Sequence, residues 1–196
     1  MTAKRNTAAA LIRRAAPFAI RAERASDVVA REALLDACFG ENRQARTCQR
    51  LRDGRAPAQG LSLAAVRQGD RLVGTVRLWH VSAGGRPALV LGPLAVDPAF
   101  RELGIGAALM QQALAAARAR GHAAVILLGD APYYARFGFS TEKTGALVLP
   151  GPFERDRLLA IEFTDGALDG AEGQIVPTGA ALAKRWVVRA LQAHAA

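Results

Sequence analysis

Cysteine, histidine, lysine and the aromatic residues are all scarce in this chain of 196 residues, and each shortage removes a class of protein. Two cysteines, Cys38 and Cys48, are too few for a disulfide framework, and with three scattered histidines they give no metal-ligand spacing. Both read as small core residues of a protein kept in a reducing cytosol, so the expected location is cytoplasmic. No apolar run reaches the roughly 20 residues that span a bilayer, and no membrane role is expected. Aromatics make up 6% of the chain and are not interleaved with its basic residues. The formal charge of +9 therefore does not describe a surface for stacking bases, and nucleic acid is not the expected partner. Arginine greatly outnumbers lysine and alanine is abundant, the bias of a GC-rich genome. The surplus charge is expected to help draw in a polyanionic ligand.

What is present suits one globular domain: 51% hydrophobic and 22% charged residues, with no internal repeat and no long linker. Residues 1–17 carry Lys4, Arg5, Arg13 and Arg14 and no acid, which predicts a flexible basic extension ending at Pro17. A single domain is expected over residues 18–196.

The most informative stretch runs from Leu91 to Gly106. It reads as an apolar strand, a short turn, then Gly104 and Gly106 opening a long Ala/Leu helix. A helix that starts on glycines aims bare backbone N–H groups at an anion. A dinucleotide-binding fingerprint would need a third glycine at position 109, where this chain has Leu109. A nucleoside triphosphate loop would need Gly-Lys-Ser/Thr, but Gly106 is followed by Ala107 and Ala108. Both nucleotide classes are excluded.

The remaining pattern, Arg101-x-x-Gly104-x-Gly106, resembles the pyrophosphate loop of the GNAT N-acetyltransferase superfamily. Two flanking features strengthen the likeness. Pro93 interrupts the strand at 88–96 and marks a bulge, and the strand 125–128 is followed by Tyr133-Tyr134 and the closing Gly138-Phe139. The resemblance spans about residues 18–163 and implies an α/β fold, GNAT-like, with a central mixed, mostly antiparallel sheet flanked by helices. It implies acetyl-coenzyme A as cofactor, bound by Leu94, Ala95 and Val96 of the bulged strand. The loop contacts it implies are Arg101, Glu102, Leu103, Gly104, Ile105, Gly106 and Ala107, and Tyr134 completes the set. Tyr134 matches the tyrosine that protonates the departing thiolate. The competing reading of Tyr134 is an aromatic packed beneath the loop. The acceptor implied is a small-molecule or peptide primary amine, attacking the thioester directly in a ternary complex. A homodimer is compatible with the family. The alternative is a non-catalytic module that binds an acyl-coenzyme A for regulation.

Two positions depart from the family pattern. Glu102 and Leu103 occupy places where relatives have glycine and a polar or basic residue, and Glu102 brings a negative charge towards the phosphates. Gly129-Asp130 stands where many relatives have asparagine. For the general base, Glu41, His80, Asp130 and Glu142 all qualify by type, and Asp130 equally suits a helix N-cap before Pro132. No metal site is expected.

Periodicity predicts a strand at 18–21, then a helix through Cys38 capped by Ser26 or Asp27, and a second helix over 43–52 ending near Gly54. A hairpin is predicted from 61–66 and 72–81 around Gly69-Asp70. The helix after the loop is expected over 104–120, with Ile105, Leu109 and Ala113 inward and Gly121 as its stop. A strand over 158–163 and a terminal helix over 180–193 complete the reading.

Overall fold

The computed structural model describes residues Pro17–Leu182. The basic extension at 1–17, Pro17 apart, and most of the expected terminal helix lie outside them. Among the described residues eight strands form one mixed sheet: β1 (Ala19–Ala22), β2 (Ser62–Arg67), β3 (Arg71–Ala83), β4 (Arg86–Val96), β5 (Ala124–Leu128), β6 (Leu147–Val148), β7 (Leu158–Glu162) and β8 (Gly173–Pro177). The main order is β1-β2-β3-β4-β5-β7, with β8 beside β3 and β6 beside β8. Pairing is antiparallel except for β4 with β5 and β6 with β8, as the GNAT-like reading expects.

Alternation along the strands divides the core between the two faces of the sheet. Leu63, Ala65, Val73, Leu89, Leu91, Val125 and Leu127 face helix α2 (Ile105–Ala119), which buries Ile105, Leu109, Met110, Ala113 and Ala117 on them. Its alanines let the helix lie close to the sheet. At Gly74 the approach is so tight that a Cβ would stand 2.9 Å from Ile105 Cγ2. On the other face, Ala64, Val66 and Ala95 meet Leu34 and Leu35 of helix α1 (Val28–Phe39). Leu51, Trp79, Val90, Ile126 and Leu158 form a second cluster farther along that face.

The predicted hairpin is present, with β2 and β3 turning through Gly69 (φ 76°) and Asp70 (φ 59°). Helix α2 starts after Gly104 and ends at Ala119, with Arg120 as its C-cap and Gly121 following at φ 77°. Three expectations need correction. Asp27 precedes α1 but caps nothing in it; its carboxylate turns back to accept from Arg24 N (2.7 Å) and to pair with Arg21 (2.7 Å). The expected helix at 43–52 is two 3-10 turns, Glu41–Ala45 and Thr47–Leu51, broken at Arg46 (ψ 144°). That segment has little apolar periodicity, so tertiary anchors decide its path: Leu51 fully buried and Thr47 bonded to the Pro152 carbonyl. Finally, Ala180–Leu182 are extended rather than helical. Ala56 N donates to Ala180 O and Leu182 N to Gly54 O (both 2.8 Å), so this segment is held by backbone pairing across the sheet end.

Candidate active site

The loop after β4 is shaped by its own side chains. Asp97 Oδ1 accepts from Ala99 N (3.0 Å) and starts the turn Pro98–Leu103, and Gly104 takes the left-handed conformation (φ 73°) that redirects the chain into α2. Helix α2 has no side-chain cap. Its first N–H groups are therefore left for a ligand. They border a cavity of about 540 Å³ lined by Leu94, Ala95, Val96, Arg101, Glu102, Gly104, Gly106 and Ala107, together with Cys38, Phe39, Tyr133 and Arg136. A Cβ on Gly106 would stand 3.4 Å from the Tyr133 hydroxyl and 3.6 Å from Val96 Cγ2, so its absence keeps this space open. The cradle suits a diphosphate: uncapped N–H groups at a helix start, a bare glycine, and the guanidinium groups of Arg101 and Arg136. Leu103 and Ile105 differ from the other expected contacts. Leu103 points to solvent, and the Ile105 side chain is fully buried beneath the loop, leaving only backbone N–H groups to offer.

The bulge lies just upstream. Val76 pairs with Leu94 and Leu78 with Leu91, so Gly92 and Pro93 together oppose Arg77 alone. Trp79 Nε1 donates to the Gly92 carbonyl (2.7 Å) and holds the bulge in place. Strands β4 and β5 pair at Leu89–Val125 and Val90–Ile126, then part as β4 runs on to Val96. On the far side of the bulge is a second cavity of about 360 Å³. Its walls include Leu91, Gly92, Pro93, Leu94, Tyr134, Phe39, Arg43, Arg46, Cys48, Arg52, Phe153, Glu154 and Arg157. Leu94 and Phe39 line both cavities.

Short helix α3 (Ala131–Ala135) sorts the two tyrosines. Asp130 caps it by accepting from Tyr133 N (3.2 Å). Tyr133 turns to the loop cavity, beneath Arg136 (4.0 Å from its ring centre). Tyr134 turns to the second cavity, edge-on to Tyr133 (4.9 Å). Gly129 makes room for it, since a Cβ there would stand 2.2 Å from the ring. Burial pushes the Tyr134 hydroxyl above its ordinary pKa, so it keeps its proton at neutral pH.

The four candidate bases do not converge on either cavity. Glu41 and Glu142 line neither cavity, Asp130 is spent on its cap, and His80 faces His122 (5.3 Å) in a separate hollow with Gln59, Gly60 and Arg120. The carboxylate on the second cavity is Glu154, which the sequence did not single out. The cysteines border cavities as well as packing on the core. Cys38 donates to Val96 O (3.3 Å), and burial raises the Cys48 thiol pKa. Among the described residues no cluster of metal-ligating side chains occurs, and no helix is long and apolar enough to cross a membrane.

A mixed α/β sheet with parted strands, an uncapped glycine-opened helix and a tyrosine at their junction defines an acyl-transferring class of enzyme. Comparison with known proteins agrees. The Acetyltransferase (GNAT) family matches residues 29–139. The uncharacterized N-acetyltransferase YhbS of Escherichia coli K12 is 30% identical over 158 residues, covering 80% of this chain and 93% of that protein. The crystal structure of E. coli YhbS with coenzyme A superposes with a TM-score of 0.71 at 29% identity, over 84% of this chain and 91% of that one. A Brucella melitensis GNAT acetyltransferase with acetyl-coenzyme A gives 0.63 at 26% identity, over 82% and 96%. The chain belongs to the GNAT acetyltransferase family. Membership in that family makes it an acetyltransferase enzyme.

Proposed function

We propose that the protein acetylates a primary amine of a small molecule or peptide by direct attack within a ternary complex. The observation that carries this reading is the pair of cavities meeting at the β4 bulge, with Leu94 and Phe39 common to both walls. Bound acetyl-coenzyme A supplies the thioester that the amine attacks. Its diphosphate is assigned to the α2 N-terminus, with Gly104, Gly106 and Ala107 offering N–H groups and Arg101 its charge. Leu94, Ala95 and Val96 flank the path from that loop to the bulge. The second cavity receives the amine. Tyr134, protonated and half-buried there, donates a proton to the leaving thiolate, and the proton lost by the amine passes through water to the cavity rim, where Glu154 stands exposed.

The test is amine-dependent thiol release across a panel of primary amines, alongside calorimetric titration with coenzyme A. Transfer to at least one amine is the expected result. Tight coenzyme binding with no release on any amine makes the protein a regulatory acyl-coenzyme A sensor instead.

A further inference from the structure

The walls of the second cavity carry four arginines and one carboxylate. Three of the arginines are already engaged. Arg43 pairs with Glu32 and Asp36 (2.6 Å each), Arg157 approaches Glu154 (3.7 Å), and Arg46 donates to the Phe39 carbonyl and lies over its ring. Arg52 is different. Its Nε is buried and has no hydrogen-bond partner among the described residues. Asp53, the carboxylate whose field reaches it, makes no hydrogen bond to it and accepts from Gln49 Nε2 (2.7 Å) instead. Arg43 and Arg77 add like charge nearby, and burial lowers the Arg52 pKa. Its Nη1 lies 3.7 Å from where a Gly92 Cβ would stand, which puts the guanidinium at the bulge where the two cavities meet.

Arg52 is partly buried, and a guanidinium whose inner nitrogen is shut off from water without a partner among the described residues is costly unless a ligand supplies the missing contact. From this geometry we infer that the acceptor is an anionic amine, carrying a carboxylate or phosphate that docks on Arg52 while its amino group faces the reaction centre. This rests on the assignment of the second cavity to the acceptor. Planar guanidinium matches both anions through paired N–H donors. Glu154 and Arg157, paired at the rim, leave the interior anion site to Arg52.

The experiment uses the full chain with acetyl-coenzyme A. Thiol release is compared between amines of similar length with and without an anion: 4-aminobutyrate, 3-aminopropyl phosphate and butylamine. Binding of the product-like 4-acetamidobutyrate and N-butylacetamide is measured by calorimetry, which needs no turnover. We expect the anionic amines to exceed butylamine by about 10- to 100-fold in kcat/KM, the range of a charge-assisted pair. The carboxylate and phosphate arms say which anion is preferred. In Arg52→Gln that ratio collapses towards one and 4-acetamidobutyrate affinity falls by a similar factor, while coenzyme A affinity stays within about twofold and reports a folded protein. Arg52→Lys keeps part of the preference and covers the case in which the glutamine variant does not fold. Arg52→Gln also raises the ligand-free Tm by about 2 °C or more, because a partly buried charge without a partner among the described residues is removed. A ratio near one in the wild type, or a ratio unchanged in both variants, overturns the inference. Thiol release absent with every amine, together with intact 4-acetamidobutyrate binding, overturns the catalytic reading and leaves the anion site standing.

Discussion

At Tyr134 a single oxygen separates packing from chemistry. The ring fits a space left by Gly129 and is edge-on to Tyr133 and Phe139, so Tyr134→Phe preserves its contacts. If the hydroxyl protonates the thiolate, kcat falls by about 10²- to 10⁴-fold with coenzyme affinity intact. Steady-state kinetics decide this, and near-normal turnover makes Tyr134 a packing residue. Its raised pKa has a further consequence: activity should not fall through the loss of this proton until above pH 10, the ordinary tyrosine value. Gly106 is the complementary case. One added carbon would meet only ordinary contacts, so Gly106→Val should fold, but its methyl groups enter the loop cavity. We expect coenzyme A affinity to drop by roughly tenfold or more with little change in Tm, read by calorimetry. Unchanged affinity places the diphosphate elsewhere.

Elements were legible in the sequence where local chemistry and periodicity agree. Gly104 and Gly121 bracket α2 and its 3.6-residue stripe points Leu109 and Ala113 inward, so its ends and its buried face could both be read. The stretch 41–51 could not be read, because Thr47 and Leu51 follow partners distant in sequence rather than a local helical preference. Asp27 misleads in the same way: it has the type and place of a cap, yet serves as a tie from α1 to β1 through Arg21, itself held by Asp70. The paired guanidinium and the Arg24 amide hold its carboxyl at about 2, below the usual 3.8. A depressed carboxyl stabilises the fold above its unfolded pKa and loses that contribution as pH falls through the folded one. Asp27→Asn should therefore destabilise at pH 7 by about 1–3 kcal/mol, with the gap to wild type closing between about pH 4 and pH 2. Urea midpoints across that range check it, and a gap independent of pH removes the tie as its cause.

Over the whole molecule, the formal charge of +9 gives a polyanionic donor a long-range attraction that salt screens. Stopped-flow association with coenzyme A should slow by roughly threefold or more between low and physiological ionic strength, and a flat response means that the charge has no steering role. The two halves of the site differ in how far they could be read. The proposed donor loop is one contiguous run, 94–107, whose glycines announce it. The proposed acceptor wall is assembled from residues as far apart as Phe39, Arg52 and Glu154, and no spacing rule connects them. That scattering also means that the two walls vary independently. The donor side rests on main-chain groups and bare glycines, which most nearby side-chain changes leave alone. The acceptor side is a mosaic of 3-10 turn and loop side chains, each replaceable singly. If the second cavity takes the amine as proposed, a lineage built this way can change its diet by exchanging one residue such as Arg52, while its appetite for the acyl donor is inherited intact.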